Sequence, residues 1–170
     1  MDNTTKNWFV VQTKPRQEDI AFENLERQGF APYLPKIPLK KKIRNRWQKV
    51  IEPLFRNYLF IHVNPQLQST ASVRSTLGVT KMVKFGMELV PVADEVVELI
   101  QKREAEIQQV FDSNVSQFKK GDRLEITEGP LAGLQAVFQM QNAQERIFVL
   151  MEILGKQSRV SLSMNQVVKA

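Results

Sequence analysis

Cysteine is absent from this 170-residue chain, and histidine occurs only once, as His62. The lack of cysteine excludes disulfides and Cys-ligated metal sites. A single histidine leaves most nucleophile–base arrangements of enzymes impossible to build, and His62 lies in an apolar run where packing is the expected role. The glycine-containing segment 129–133 lacks the Lys-Ser/Thr pair of a phosphate-binding loop. We therefore expect a protein that is not an enzyme and needs no metal or cofactor.

Long apolar runs are missing as well. No stretch approaches the roughly 18 residues that a membrane-spanning helix needs. The first residues, Met1 to Lys6, lack the basic and then apolar profile of a signal peptide. The absence of cysteine suits a reducing compartment. These observations predict a cytoplasmic protein with no membrane partner.

Positive charge is in excess, with a formal net charge of +6, and it is unevenly placed. The segment from Lys36 to Val50 contains seven lysines and arginines and no acidic residue. Phosphate groups are the commonest partners of such a run, because each neutralised phosphate releases counterions. A solvated loop without a partner is the alternative, and the run alone does not decide between them.

Hydrophobic periodicity and breaker residues predict a compact N-terminal α/β domain over residues 1–108. The first predicted elements are a strand at Trp8–Thr13, a helix at Gln17–Gln28 capped by Gly29, and an extended basic hairpin at a sheet edge. They are followed by a strand at Phe55–Val63, a weak helix at Gln66–Leu77, a strand at Val79–Phe85 and a helix from Ala93. Residues 109–118 are predicted to be a linker, and residues 119–170 a second, smaller domain. The predicted fold class of the whole chain is α+β.

The second domain opens with a motif that resembles KOW. Gly121-Asp122 and Gly129-Pro130 are predicted turns, and Leu124 and Ile126 alternate with charged neighbours between them. KOW motifs are found in small five-stranded β-barrels that bind RNA, ribosomal proteins or transcription proteins.

The first domain resembles the amino-terminal (NGN) domain of the NusG family of transcription elongation factors. The matching segments follow one another in the family's order: the Trp8 strand, Glu52–Phe60 and Val73–Val79. Within the family, Glu52-Pro53-Leu54-Phe55 and Leu25-Glu26-Arg27-Gln28 are most similar to the RfaH-type operon-specific antiterminators, whereas the tail after Ile153 is similar to general NusG. The resemblance implies an antiparallel sheet flanked by helices in the first domain. It also implies a factor that binds RNA polymerase and suppresses pausing and termination.

Three binding surfaces are implied by the resemblance. An apolar groove for the clamp helices of the polymerase β′ subunit would include Phe55, Tyr58 and Phe60, although neighbours on a strand face opposite sides and some of these are expected to be core only. The polymerase β gate loop would meet Ser69 and Thr70. The non-template DNA strand would be read by Lys14, Gln17, Arg27, Gln28, Arg74 and Thr76, for which a solvated helix face is the alternative.

The segment from Leu134 to Leu154 fits two structures. With helical spacing, Ile147, Leu150, Met151 and Leu154 form one stripe, and Gln141–Ala143 would connect a helical hairpin that ends at Gly155. With a period of two, Ile147 to Ile153 is a continuous apolar strand of a barrel. RfaH-type proteins are known to switch between these folds, and the resemblance implies interdomain contacts of Glu52 with Arg146 and of Phe138, Leu150 and Ile153 with the groove.

Two rival functions are compatible with parts of the sequence. A general NusG-like factor would keep a permanent barrel and an open groove, while a ribosomal or RNA-binding KOW protein would use the basic run at 36–50 to bind RNA. In the barrel state the resemblance also implies a small-subunit ribosomal protein as partner, which would couple transcription to translation. We expect a monomer.

Overall fold

The computed structural model describes residues 5–112 and 133–168 of the chain. In chain order the elements are β1 (Asn7–Thr13), α1 (Glu18–Arg27), β2 (Ala31–Tyr33), β3 (Lys36–Ile43), β4 (Arg46–Pro53), β5 (Tyr58–Val63), α2 (Thr70–Arg74), β6 (Val79–Met82), β7 (Lys84–Phe85), β8 (Glu88–Leu89), α3 (Asp94–Asp112), α4 (Leu134–Val137) and α5 (Ala143–Val168). The order of the predicted elements is confirmed. No helix within these two ranges is long and apolar enough to cross a membrane.

A four-stranded antiparallel sheet in the order β2-β5-β1-β6 forms the centre of the first domain. Side chains alternate along β1, so that Phe9 and Val11 pack on one face of the sheet while Val10 packs on the other. The first face carries α1 and α2 residues, and the second carries residues of α3, α4 and α5. The predicted antiparallel sheet flanked by helices is therefore confirmed.

Helix α1 forms for the reasons that its sequence suggests. Ala21 and Leu25 are one turn apart and fully buried, and Glu18 and Asp19 lie in the first turn, where the helix dipole favours negative charge. Gly29 follows the helix with φ +90°, a conformation that only glycine adopts without strain. Glu18 is buried because its Oε1 accepts a hydrogen bond from the backbone N of Asn57 at 3.1 Å.

The basic segment folds as a two-stranded antiparallel ribbon, made of β3 and β4. Arg44 and Asn45 form its two-residue turn, with φ values of 52° and 66°, as a primed hairpin turn requires. The expected hairpin is present, but its place at a sheet edge was wrong, because β3 and β4 pair with each other and form a separate sheet. The ribbon is anchored at its base, where the carboxylate of Glu104 in α3 accepts from the backbone N of Lys36 at 2.8 Å.

Several element boundaries differ from the predictions. The strand predicted from Phe55 begins at Tyr58, because Asn57 has a φ of 72° and interrupts the extended backbone. The helix predicted over 66–77 is limited to Thr70–Arg74. Helix α3 continues to Asp112, four residues beyond the predicted end of the first domain at 108, and residues 113–118 of the predicted linker lie outside the described residues.

The C-terminal segment is helical over both of its described elements, α4 and α5. This agrees with the helical interpretation of Leu134–Leu154. The prediction that Gly155 ends the second helix was wrong, since α5 runs through it to Val168. The KOW-like residues 119–132 lie outside the described residues, so the barrel interpretation and the domain division stay predictions.

Candidate functional site

Four aromatic side chains lie together on the sheet and on the segment before β5. We call this set, Tyr33, Phe55, Tyr58 and Phe60, the aromatic face. Phe55 and Phe60 meet edge to face with ring centroids 6.1 Å apart, and Tyr33 stacks on Phe60 at 6.2 Å. Phe55 and Phe60 are both buried, and Tyr58 is half-buried. The structure thus brings the three predicted groove residues together, two of them as core side chains.

Helices α4 and α5 cover the aromatic face. Phe55 and Phe60 belong to one apolar core with six buried C-terminal side chains, which are Leu134, Val137, Val149, Leu150, Ile153 and Leu154. Phe138 is half-buried against the same core, so the three predicted masking residues lie together. Each fully buried leucine or isoleucine contributes about 1.5–3 kcal/mol relative to exposure, so this packing is a large term in the position of the helices.

The buried face of α5 differs slightly from the predicted stripe. Ile147 and Met151 are only half-buried, while Val149 and Ile153 join Leu150 and Leu154 in the interior. The buried face of α5 is turned relative to the predicted stripe, because Arg146, one turn before Leu150, also points into the interior.

Arg146 is fully buried, which is unusual for an arginine, and it joins the two parts of the chain. Its Nη2 donates to Glu52 Oε1 at 2.8 Å, its Nε to the carbonyl oxygen of Leu54 at 2.7 Å and its Nη1 to the carbonyl oxygen of Met140 at 2.7 Å. The planar guanidinium therefore holds β4, the segment before Phe55 and the α4–α5 connection at once. The Arg146–Glu52 ion pair and the two hydrogen bonds from Arg146 to carbonyl oxygens are together called the interdomain lock.

Glu52 receives a second cation from the ribbon. Lys41 Nζ lies 2.6 Å from Glu52 Oε2, and Arg56 Nη2 lies 3.8 Å from the same oxygen. Burial alone raises the pKa of Glu52, but the hydrogen bonds and charges of Lys41 and Arg146 outweigh it, so that the pKa lies below its ordinary value. The carboxylate is consequently ionised at neutral pH and available to the lock.

Glu104 of α3, which holds the base of the ribbon, also binds Tyr33 of β2. The hydroxyl of Tyr33 donates to Glu104 Oε2 at 3.2 Å. Burial, together with the charge of Glu104 and this hydrogen bond, raises the pKa of Tyr33 well above its usual range. Tyr33 thus remains a hydrogen-bond donor, and the aromatic face keeps its edge fixed against α3.

The predicted gate-loop contact residues lie at the start of the short helix α2. Ser69 is the exposed residue before the helix, and Thr70, its first residue, is half-buried. They lie on the α2 side of the first domain, away from the core that α5 shares.

The six predicted DNA-binding residues gather around α1 and the turn after α2. Lys14, Arg27, Gln28 and Arg74 are exposed and Gln17 is half-buried. Thr76 is buried, because its hydroxyl donates to Ser72 O at 2.7 Å and accepts from Gln28 Nε2 at 2.7 Å. Gln28 and Thr76 are therefore joined to each other, and Thr76 positions Gln28 rather than presenting a free hydroxyl.

Three partners of Arg146 and Glu52 were not predicted. The carbonyl groups of Leu54 and Met140 carry no sequence signal, since every residue has one. Lys41 had a signal that the prediction did not use: on an antiparallel ribbon the residues opposite and diagonal to one another share a face, and Lys41 shares a face with Glu52.

Comparison with known proteins decides the family. The family model described as "Transcription termination factor nusG" matches residues 6–101. The chain belongs to the NusG family. Members of this family are transcription factors that bind RNA polymerase, and they are not enzymes.

Relatives named "Transcription termination/antitermination protein NusG" match over nearly the whole chain. The protein from Thermus thermophilus is 30% identical, with 96% of this chain and 98% of the relative covered. The protein from Rickettsia prowazekii is 26% identical, with coverages of 99% and 92%. The Streptomyces coelicolor relative is 27% identical, and the match spans 62% of its length.

A solved structure described as "Domain interaction in Thermotoga maritima NusG" aligns with a TM-score of 0.45 and 20% identity. The alignment covers 75% of this chain and 70% of that one.

Proposed function

We propose that this NusG-family chain is an RfaH-type elongation and antitermination factor, in which the C-terminal helices cover the polymerase-binding face until the factor reaches selected operons. The observation that carries the proposal is the buried Arg146, which binds α5 to Glu52 and Leu54, next to Phe55 of the aromatic face. A permanently open factor would gain nothing from this contact.

The aromatic face is the proposed site for the clamp helices of the polymerase β′ subunit. A helical partner needs an apolar surface that accepts side chains at helical spacing, and α5 already occupies the face with such a stripe, including Leu150 and Ile153. The clamp helices and α5 would then compete for one surface. Ser69 and Thr70 are proposed to contact the β gate loop on the other side of the domain.

Opening of the lock would require a modest shift in free energy. Removing one partner of a buried ion pair costs roughly 3–5 kcal/mol, and a two-state equilibrium is reversed from 1:99 to 99:1 by about 5.5 kcal/mol. The loss of the Arg146 contacts therefore shifts the equilibrium toward the uncovered state, while the apolar packing of α4 and α5 continues to oppose uncovering.

The surface around α1 is proposed to bind the non-template DNA strand. Lys14, Arg27 and Arg74 supply exposed positive charge, and Gln17 and Gln28 can hydrogen-bond base edges. The proposed operon selectivity depends on these residues.

After release, the C-terminal segment is proposed to refold as a KOW-type barrel that recruits a small-subunit ribosomal protein. The run from Ile147 to Ile153, which is apolar except for Glu152, supports this step, because its apolar residues also satisfy the pattern of a buried strand. NMR chemical shifts of this run in the polymerase-bound chain check it: strand-type values are expected, and helical values in the complex would contradict refolding.

General elongation is the alternative function. The match to NusG proteins over nearly the whole chain favours it, because the C-terminal part of those relatives is aligned too. The KOW-type ribosomal protein is disfavoured, since the family match lies in residues 6–101, outside the KOW-like region. A chromosome-wide occupancy profile separates the first two functions, with signal at few operons expected for a selective factor and at most transcribed genes for a general one.

Arg146→Ala tests the covering of the aromatic face. We expect the variant to bind RNA polymerase at least about tenfold more tightly than the unchanged chain, because the cost of uncovering the face is removed. Lys36→Ala is the matched control: it breaks the exposed Lys36–Asp19 pair, at 3.0 Å, which contributes little. Equal and tight binding by the unchanged chain and Arg146→Ala would refute the proposal.

A further inference from the structure

The β3–β4 ribbon has two faces of different character. The register places Lys42 opposite Trp47 and Lys40 opposite Lys49, and these pairs alternate with Lys41 opposite Gln48. Opposite residues share a face and successive residues alternate, so Lys41 belongs to the inner face, with Glu52, and the other four belong to the outer face. We call the outer set, Lys40, Lys42, Trp47 and Lys49, the ribbon patch.

Trp47 is the unusual member of the ribbon patch. Its side chain is 71% exposed, although tryptophan normally buries most of its surface. Trp8, the second tryptophan of the chain, is half-buried and stacks on His62 at 4.5 Å. Lys40 and Lys42, which flank Trp47 on the outer face, form no ion pair with any residue in the described ranges. An exposed indole surrounded by cations is thus displayed to solvent.

The residues around Trp47 are basic, which favours a negatively charged binding partner. Between Ile37 and Ile51 the ribbon contains no acidic residue, and Arg44 at the turn adds a further exposed cation. A polyanion with flat apolar groups fits such a surface, because lysines bind phosphates while an aromatic ring stacks on an unpaired base. An acidic peptide would satisfy the lysines but leave the indole without a stacking partner.

We propose that the ribbon patch is a second nucleic-acid site, which binds a single-stranded DNA segment with phosphates on the lysines and one base stacked on Trp47. The choice of DNA rests on the proposed function, which places a DNA strand on the neighbouring α1. Asp19 of α1 and Lys36 at the base of the ribbon are joined by a 3.0 Å ion pair, so α1 and the ribbon are adjacent.

The ribbon patch is exposed to solvent while the aromatic face is covered. Lys40, Lys42, Trp47 and Lys49 are exposed in the structure in which α5 packs on the first domain, and the lock uses the opposite face of the ribbon. The closed protein is therefore expected to bind DNA before it binds polymerase, and Arg146→Ala should leave this DNA affinity unchanged.

The test uses the full chain with Trp8→Phe, so that Trp47 is the remaining fluorophore. Titration with a twelve-nucleotide oligodeoxythymidine should quench Trp47, and the affinity should depend on salt. Trp47→Leu should weaken binding, followed by anisotropy of a labelled oligonucleotide, by about tenfold, within the range for the loss of one stacked base. The double variant Lys40→Gln/Lys42→Gln should reduce the salt slope by about 0.7 for each lost phosphate contact.

Lys81→Gln/Lys84→Gln is the matched control, since it removes the same charge from exposed positions outside the ribbon. An equal loss of affinity in this control would overturn the proposal, as would an unchanged affinity of Trp47→Leu, tighter binding of oligouridine, or equal competition by polyglutamate. These outcomes leave polymerase binding by Arg146→Ala untouched, so the failure of the patch is distinguishable from failure of the proposed function.

Discussion

Glu52 is the residue on which the ribbon and the C-terminal helices converge. Its carboxylate is bound by Arg146 from α5 and by Lys41 from its own domain. When α5 leaves, Glu52 loses the hydrogen bond and the charge of Arg146, both of which lower its pKa, and part of its burial, which raises it, while Lys41 remains beside it. We expect the loss of the guanidinium to outweigh the smaller loss of burial, so that the pKa of Glu52 rises on opening and opening is linked to protonation.

This linkage gives a pH dependence with a defined sign. The covered state has the lower Glu52 pKa, so its advantage is present above the ordinary value of 4.5 and is lost as pH falls through the lowered value. We expect acidification below about pH 5 to reduce the covered population, measured from backbone NMR signals of residues 143–154. Glu52→Gln should lack this component of the pH dependence, and an identical pH profile for both chains would contradict the linkage.

At the same scale, the sequence could predict the Arg146–Glu52 pair of the lock but not its two carbonyl contacts. The pairing of Glu52 with Arg146 followed from the family resemblance. The carbonyl contacts at Leu54 and Met140 depend on where two backbone segments meet in space, and no side-chain pattern encodes that meeting. Thr76 was predicted as a DNA contact, whereas its hydroxyl is used within the domain.

Among the elements, α1 depends on a close approach at Gly78. A Cβ added there would lie 2.9 Å from the backbone N of Ala21, and the residue has a φ of +90°. Lys14 N also donates to the carbonyl oxygen of Gly78 at 2.8 Å, which fixes the turn against the start of the proposed DNA surface.

Gly78→Ala is expected to lower the free energy of unfolding by more than Gly29→Ala. Both glycines have a φ of +90°, so both substitutions carry the left-handed penalty of about 1–2 kcal/mol, but a Cβ at Gly29 meets nothing within 4 Å. The difference between the two variants, measured by chemical denaturation, isolates the contact with Ala21. Equal losses would show that the α1 approach tolerates a side chain.

The bounds of a helix or strand were predictable where the apolar spacing, the charged residues and the capping residues all indicated the same element. Apolar spacing, acidic first-turn residues and Gly29 all favoured α1, and the structure has it within one residue at each end. Local signals failed at Gly155, where a glycine lies inside α5. A single glycine costs a helix only about 1 kcal/mol, and the packing of α5 offsets that cost. The ribbon was predictable as a hairpin. That it forms a sheet separate from the four-stranded sheet was not predictable, because strand pairing depends on residues that are distant in sequence.

At the scale of the whole molecule, one apolar core spans both ends of the chain. Phe55 and Phe60 from the first domain and Leu150 and Ile153 from α5 are buried in the same cluster. The sequence left two folds open for the C-terminal segment because its apolar residues satisfy both periods. What favours the helical packing is the aromatic face, a partner that is distant in sequence.

Covalent closure tests this arrangement most directly, and the absence of cysteine makes it practicable. A Cβ at Gly155 would lie 3.9 Å from the ring of Phe85, so Phe85→Cys/Gly155→Cys can be joined by a short reducible thiol cross-linker. The cross-linked chain should fail to bind RNA polymerase, and reduction of the linker should restore binding. Binding of the cross-linked chain with the affinity of the reduced one would contradict the claim that α5 covers the polymerase-binding face.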